Sequence, residues 1–128
     1  MNPRGTILVV DDEPFVLQLL ARVLEAQGYS ILQAGTVELA FDIVHAHDGI
    51  ISLLIIDHVF LKTTGRQITR RILQMRPSMK VLYVSCEHRR FLIDDGSLFP
   101  ADAFLKKPFL PDVLIAKVQG LLDTAQKE

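Results

Sequence analysis

Leu53-Leu54-Ile55-Ile56-Asp57 sets four consecutive large apolar residues directly before a carboxylate. Such a run reads as a strand buried on both faces, and it can end in an acid only where the strand leaves the core. Asp57 therefore falls at the carboxyl end of a strand. In an open parallel sheet that edge is where ligands bind, so the acid is a candidate for chemistry.

Outward from this stretch, apolar runs of strand length alternate with segments of helical period. Ile7-Leu8-Val9-Val10 forms a first strand, followed by a helix through Val16, Leu19, Leu20, Val23 and Leu24 that Gly28 closes. Tyr29-Ser30-Ile31-Leu32-Gln33 gives a second, weaker strand. Thr36 caps a helix through Leu39, Ala40, Ile43 and Val44, with Asp48-Gly49 as its exit turn. After the strand that carries Asp57, Gly65 precedes a helix with Ile68, Ile72, Leu73 and Met75, and Pro77 forbids its continuation. Lys80-Val81-Leu82-Tyr83-Val84 repeats the buried-strand pattern. Residues 87–98 are polar and read as a short, poorly anchored helix. Ala103-Phe104-Leu105 is a fifth strand, and Pro111 opens a last helix through Val113, Leu114, Val118, Leu121 and Leu122. Strand and helix units in this alternation imply an α/β fold, a mostly parallel sheet covered on both faces, because parallel neighbours need crossovers.

With 128 residues and no linker or repeat, the chain is expected to form a single domain over 1–128. Its 49% apolar content is ample to offset ordering entropy, which excludes a disordered chain. Fourteen basic against fifteen acidic side chains leave a net charge of −1, so charge gives no reason to expect direct binding to nucleic acid or an anionic membrane. A single cysteine, Cys86, excludes an internal disulfide and a cysteine zinc cluster. No apolar run approaches a secretory or membrane-spanning segment, and a cytoplasmic location is expected.

The other strands deliver matching groups to the edge that holds Asp57. The first runs into Asp11-Asp12, the fourth into Ser85 and the fifth into Lys106-Lys107-Pro108. Clustered carboxylates raise one another's pKa unless a cation neutralises them, and an all-oxygen site with room for water suits Mg2+. A carboxylate beside that metal can act as the nucleophile in an in-line displacement at phosphorus, giving an aspartyl phosphate. A lysine and a hydroxyl would then meet the phosphoryl oxygens where anionic charge appears.

Val9-Val10-Asp11-Asp12-Glu13-Pro14, Asp57 with Gly65 beyond it, Ser85 after an apolar strand, and Phe104-Leu105-Lys106-Lys107-Pro108-Phe109 together resemble the receiver domain of two-component response regulators. The resemblance covers nearly the whole chain in the right order. It implies a flavodoxin-like doubly wound sheet of five parallel strands, order 2-1-3-4-5, with five helices. It also implies that Asp57 is the phosphoacceptor and that Asp11 and Asp12 hold Mg2+ together with Asp57 and the backbone carbonyl of Val59. Ser85 matches the hydroxyl that moves to meet the phosphoryl group, and Lys107 rather than Lys106 matches the family lysine. Pro108 is expected to follow a cis peptide bond, for which X-Pro is the low-cost context. Phe104 matches the aromatic position whose rotamer accompanies switching, without the hydroxyl of the commoner tyrosine. Phe60 and Leu61 stand where methionine and proline are common, and Cys86 stands where alanine or glycine is usual. The stretch Lys107-Pro108-Phe109-Leu110-Pro111-Asp112-Val113-Leu114 is similar to receivers attached to hybrid sensor kinases.

The resemblance implies a phosphoryl-accepting switch rather than a dedicated enzyme, with self-phosphorylation and autodephosphorylation. Its partners would be a sensor histidine kinase or histidine phosphotransfer protein, then a downstream target or an attached kinase or output domain. The face of the fourth helix, fifth strand and last helix would change partner affinity and is a possible homodimer surface. With no output segment after the last helix, the chain is expected to be a stand-alone receiver or one excised from a longer protein. Two other classes compete. A Mg2+-dependent phosphatase of the haloacid dehalogenase type expects a second acid where Val59 stands, and a pseudo-receiver would not need the full set of polar groups. Elsewhere, His45 and His47 do not face each other on a helix, and His58 should point away from its neighbour Asp57. Arg66, Arg70 and Arg71 lack interleaved aromatic residues, so a solvated helix face is expected there.

Overall fold

The computed structural model describes residues 4–57 and 65–126. Five parallel strands, β1 (Thr6–Val10), β2 (Ser30–Ala34), β3 (Leu53–Asp57), β4 (Lys80–Ser85) and β5 (Ala103–Lys106), form one sheet in the order β2-β1-β3-β4-β5. The helices are α1 (Pro14–Glu25), α2 (Val37–Ala46), α3 (Gly65–Met75), α4 (Arg89–Asp94) and α5 (Pro111–Gln126). This is the flavodoxin-like doubly wound arrangement that the resemblance to receiver domains implies.

The unbroken apolar runs are explained by the two layers. Ile7, Val9, Leu53, Ile55, Leu82 and Val84 pack into one core cluster with Leu17, Leu20 and Leu24 of α1 and Leu114 and Val118 of α5. Leu8, Val10, Leu54, Ile56 and Tyr83 point the other way, toward Ala40, Val44, Ile72 and Leu92 on α2, α3 and α4. Alternate residues of one strand thus enter opposite cores, and every residue of β3 is buried.

Local signals behave as their chemistry requires, with instructive exceptions. Pro14 occupies the first turn of α1, where its missing N–H costs nothing. The Thr36 hydroxyl accepts the Leu39 N–H at 3.1 Å and caps α2. Gly28 leaves α1 at φ +97°, a left-handed conformation that favours glycine. Leu19, expected on the buried stripe of α1, is 40% exposed, because Leu17 and Ala21 turn inward instead. The short helix expected in residues 87–98 is α4, only six residues long, but it is not poorly anchored. Leu92 and Leu98 are buried, and the Leu92 carbonyl accepts the N–H groups of both Ser97 and Leu98.

One long-range tie was not foreseen. Arg76, just past α3, donates to the carbonyls of Val44 at 2.9 Å, His47 at 2.6 Å and Gly49 at 2.7 Å. Three acceptors at the exit of α2 are thereby satisfied by one planar cation. Replacing Arg76 by Ala should destabilise the fold by about 2 kcal/mol in urea denaturation, and Arg76→Lys should recover less than half of that. Equal stability of Arg76→Ala and wild type would show that water replaces the three bonds without loss.

Candidate phosphoryl-acceptor site

Two strand ends and the residues that follow two other strands bring the polar groups together. Asp11 follows β1 and continues its pairing, with its N–H donating to the Ala34 carbonyl at 3.2 Å, and it is fully buried. Asp57 is the last residue of β3, and Ser85 the last of β4; both are buried. Lys107 is fixed beside them because its backbone N–H donates to the Ser85 carbonyl at 2.8 Å. Strand alternation then decides between the adjacent lysines. Lys106 is exposed, whereas Lys107 turns inward, and the Lys107–Pro108 peptide bond is cis.

The Lys107 ammonium Nζ donates to Asp11 Oδ2 and to Asp57 Oδ2, each at 2.7 Å. These are charge-assisted bonds at the short end of the range for N–H donors to carboxylates. Burial disfavours the Lys107 cation, yet the bonds and charges of the two carboxylates outweigh it and raise its pKa. Asp11 shifts upward as well. Burial is the main cause there, reinforced by the Asp57 charge, and bonds from Lys107 and from the Glu13 N–H, at 3.0 Å, offset it incompletely. Ionised Asp11 is thus held at a cost that comes chiefly from burial.

Carboxylate oxygens of Asp11, Asp12 and Glu13 lie within 4.8 Å of one another. Asp12 and Glu13 are exposed, so the set combines a buried acid with two acids open to water. An all-oxygen donor group with room for water fits Mg2+, which keeps much of its hydration shell when bound. Glu13 was not singled out from the sequence, although its place beside the acid pair was a signal for it. Asp57 meets Asp11 through Lys107 rather than within this oxygen group. The expected ligand Val59 lies outside the described residues, as do His58, Phe60 and Leu61.

Ser85 Oγ accepts the Glu87 N–H at 3.0 Å, which leaves its own proton available for a further acceptor. Cys86 is exposed beside it. Phe104 is half-buried against the cluster of α2, α3 and α4, in register with Tyr83 on β4. Gly65 is the first residue of α3. His45 and His47 join no metal-competent group among the described residues. The arginines depart from expectation. Arg70 and Arg71 are exposed, but the Arg66 side chain is only 19% exposed and ion-pairs with Asp102.

A parallel five-stranded sheet of this order with acids, a hydroxyl and a lysine on one edge defines a receiver domain. The chain belongs to the response regulator receiver domain family, which it matches over residues 7–119. It is 32% identical over 120 residues to the response regulator GtcR of Aneurinibacillus migulanus, covering 94% of this chain and 48% of that protein. It is 29% identical to the alkaline phosphatase synthesis transcriptional regulatory protein PhoP of Bacillus subtilis, covering 91% of this chain and 48% of that one. The chain spans about half the length of the curated relatives it matches. Among solved structures, a CheY-like receiver domain protein from Methanospirillum hungatei superposes with a TM-score of 0.80 at 25% identity, covering 96% of this chain and 97% of the other. The Mg2+-BeF complex of the response regulator TrrA from Thermotoga maritima gives 0.77 at 30% identity, covering 92% and 99%. No described helix is long and apolar enough to cross a membrane.

The two shifts give the sign of what Lys107 and Asp11 contribute to the pH dependence of stability. The folded-state pKa of Lys107 lies above the ordinary 10.5, so its contribution is complete below that value and is lost as pH rises through the folded one. The folded-state pKa of Asp11 lies above 3.8, so its contribution is complete below 3.8 and is lost as pH rises through its own folded value. Ionisation of Asp11 therefore opposes folding. In chelator at pH 7, Asp11→Asn should melt roughly 3–5 °C above wild type, the shift that about 1 kcal/mol gives in a domain of this size. A lower melting temperature would mean that the Lys107 bond outweighs the burial of the charge.

Proposed function

We propose that this chain is the phosphoacceptor of a two-component phosphorelay, taking a phosphoryl group on Asp57 from a histidine kinase or histidine phosphotransfer protein. The observation that carries this reading is the Lys107 ammonium held at 2.7 Å from both Asp11 and Asp57 on the ligand-binding edge of the sheet. A lysine fixed against the attacked-group position is charge stabilisation placed before the charge arrives.

In the proposed reaction a carboxylate oxygen of Asp57 attacks phosphorus in line. The P–N bond of the phosphohistidine donor breaks, its electron pair leaves with the imidazole nitrogen, and an acyl phosphate forms on Asp57. Lys107 keeps its proton throughout, as its raised pKa favours, and its bond to Asp57 passes to a phosphoryl oxygen. Ser85 donates its free hydroxyl proton to another phosphoryl oxygen while its Oγ continues to accept from Glu87. Asp11, Asp12 and Asp57, with the Val59 carbonyl, would hold Mg2+, and Glu13, whose carboxylate oxygen lies within 4.8 Å of those of Asp11 and Asp12, would hold its water. When bound, the metal would supply positive charge against the phosphoryl oxygens and the crowded carboxylates. Water attack on the acyl phosphate would reset the switch. No separate catalytic turnover is implied.

Output belongs to the face of α4, β5 and α5, through a downstream protein, an attached domain or a second copy of the chain. The regulators GtcR and PhoP support a signalling role, and their other half is where an output domain would lie. A cytoplasmic location follows from a phosphodonor that works inside the cell.

Incubation with acetyl phosphate, read by intact mass, tests the reaction. Wild type should gain one phosphoryl group in Mg2+ and none in chelator. Lys107→Ala should lower the rate of incorporation by about 10²-fold, the loss that follows removal of one preorganised charge contact. Incorporation that is independent of Mg2+, or equal in Lys107→Ala, would contradict the proposal.

A further inference from the structure

Arg66 sits in the first turn of α3, directly after the segment that follows Asp57, and its guanidinium reaches across to the loop between α4 and β5. There it ion-pairs with Asp102, donates from Nε to the Ser97 carbonyl at 3.4 Å, and lies 3.7 Å from the centre of the Phe99 ring. Asp102 is engaged a second time, because Oδ2 also accepts the Phe99 N–H at 2.8 Å. One cation therefore holds a carboxylate, a carbonyl and an aromatic face of the same loop.

A second chain of bonds joins the same turn to the strand that ends in Ser85. The Thr69 hydroxyl donates to the Arg66 carbonyl at 3.0 Å, so the Tyr83 hydroxyl, 2.7 Å from Thr69 Oγ1, is the donor in that buried pair. Tyr83 stands in register with Phe104, and the Arg66 guanidinium is 5.8 Å from the Tyr83 ring centre. The hydroxyl that Phe104 lacks is thus present one strand inward, on Tyr83, and it is bonded to α3. These contacts make a continuous physical path from β4 through Thr69 and Arg66 to the α4–β5 loop.

We propose that Arg66 is a positioning residue that links occupancy of the Asp57 site to the arrangement of the α4–β5 loop. The inference rests on the phosphoacceptor reading, since the linked ligand is a phosphoryl group or its mimic. Because such coupling is reciprocal, loosening the loop must change affinity at the distant site. Arg66→Lys keeps the charge but loses the plane that covers Phe99 and the two-directional donation, so it belongs between wild type and Arg66→Ala.

The test is amide hydrogen exchange across residues 97–102, with and without beryllofluoride and Mg2+, in wild type, Arg66→Ala, Arg66→Lys and Asp102→Asn, with beryllofluoride affinity measured on the same samples. In the ligand-free state Arg66→Ala should exchange about tenfold faster over 97–102 while β1 and β3 stay protected. Its affinity for beryllofluoride should differ from wild type by at least about threefold, and the ligand-induced change over 97–102 should vanish. Arg66→Lys and Asp102→Asn should fall between, which also separates the effect from a folding defect. A faster-exchanging loop with unchanged affinity and an unchanged ligand response would make Arg66 merely structural and overturn the coupling. Failure of wild type to bind beryllofluoride would instead overturn the phosphoacceptor reading and the coupling with it.

Discussion

The Lys107 ammonium between Asp11 and Asp57 is the interaction on which the candidate site depends. Two acids delivered by adjacent strands to a buried edge repel each other, and desolvation penalises both. A cation from the next strand but one bridges them at 2.7 Å on each side. The bridge is incomplete by design of the charges. Two carboxylates and one ammonium leave an excess negative charge, which adds a minor part to the upward shift that burial imposes on Asp11. A divalent cation on the Asp12 and Glu13 side would neutralise that excess.

The sheet is what makes this arrangement possible. Parallel strands all present their carboxyl ends to one edge, and a strand buried on both faces ends where it must, at the last residue the core can cover. Asp57, Ser85 and Asp11 are each at or one residue beyond such an end. Lys107 reaches the same place because its backbone continues the pairing of β4 with β5. The two layers of helices fill separate cores, so α2, α3 and α4 can carry the polar contacts that run outward from the edge while α1 and α5 cover the other face.

Much of this was legible in the sequence, and the parts that were not share one cause. Strand ends could be read because burial imposes a pattern on neighbouring residues: four apolar positions and then Asp57 leave little choice of placement. The inward Lys107 could be named from its place before Pro108, and alternation along β5 gives the same answer. Contacts set by residues distant in the chain could not be read. Arg76 meets carbonyls at the exit of α2, and Arg66 meets Asp102 of the α4–β5 loop, only because the fold brings those segments against α3. Composition suggested a solvated arginine face on α3, and packing overrode it at Arg66 but not at Arg70. The segment of α4 read as poorly anchored because it is polar, although the buried side chains of Leu92 and Leu98 hold it to the core.

The central claim is that the group accepting phosphate is the Asp57 carboxylate and not one of the neighbouring acids. Borohydride trapping of the phosphorylated chain, followed by peptide sequencing, tests it most directly, because reduction of an acyl phosphate converts the aspartate that bore it to homoserine. The account predicts homoserine at position 57 alone, with Asp11, Asp12 and Glu13 unaltered. Label at any of those three, or a phosphorylated chain with Asp57 intact, would contradict it.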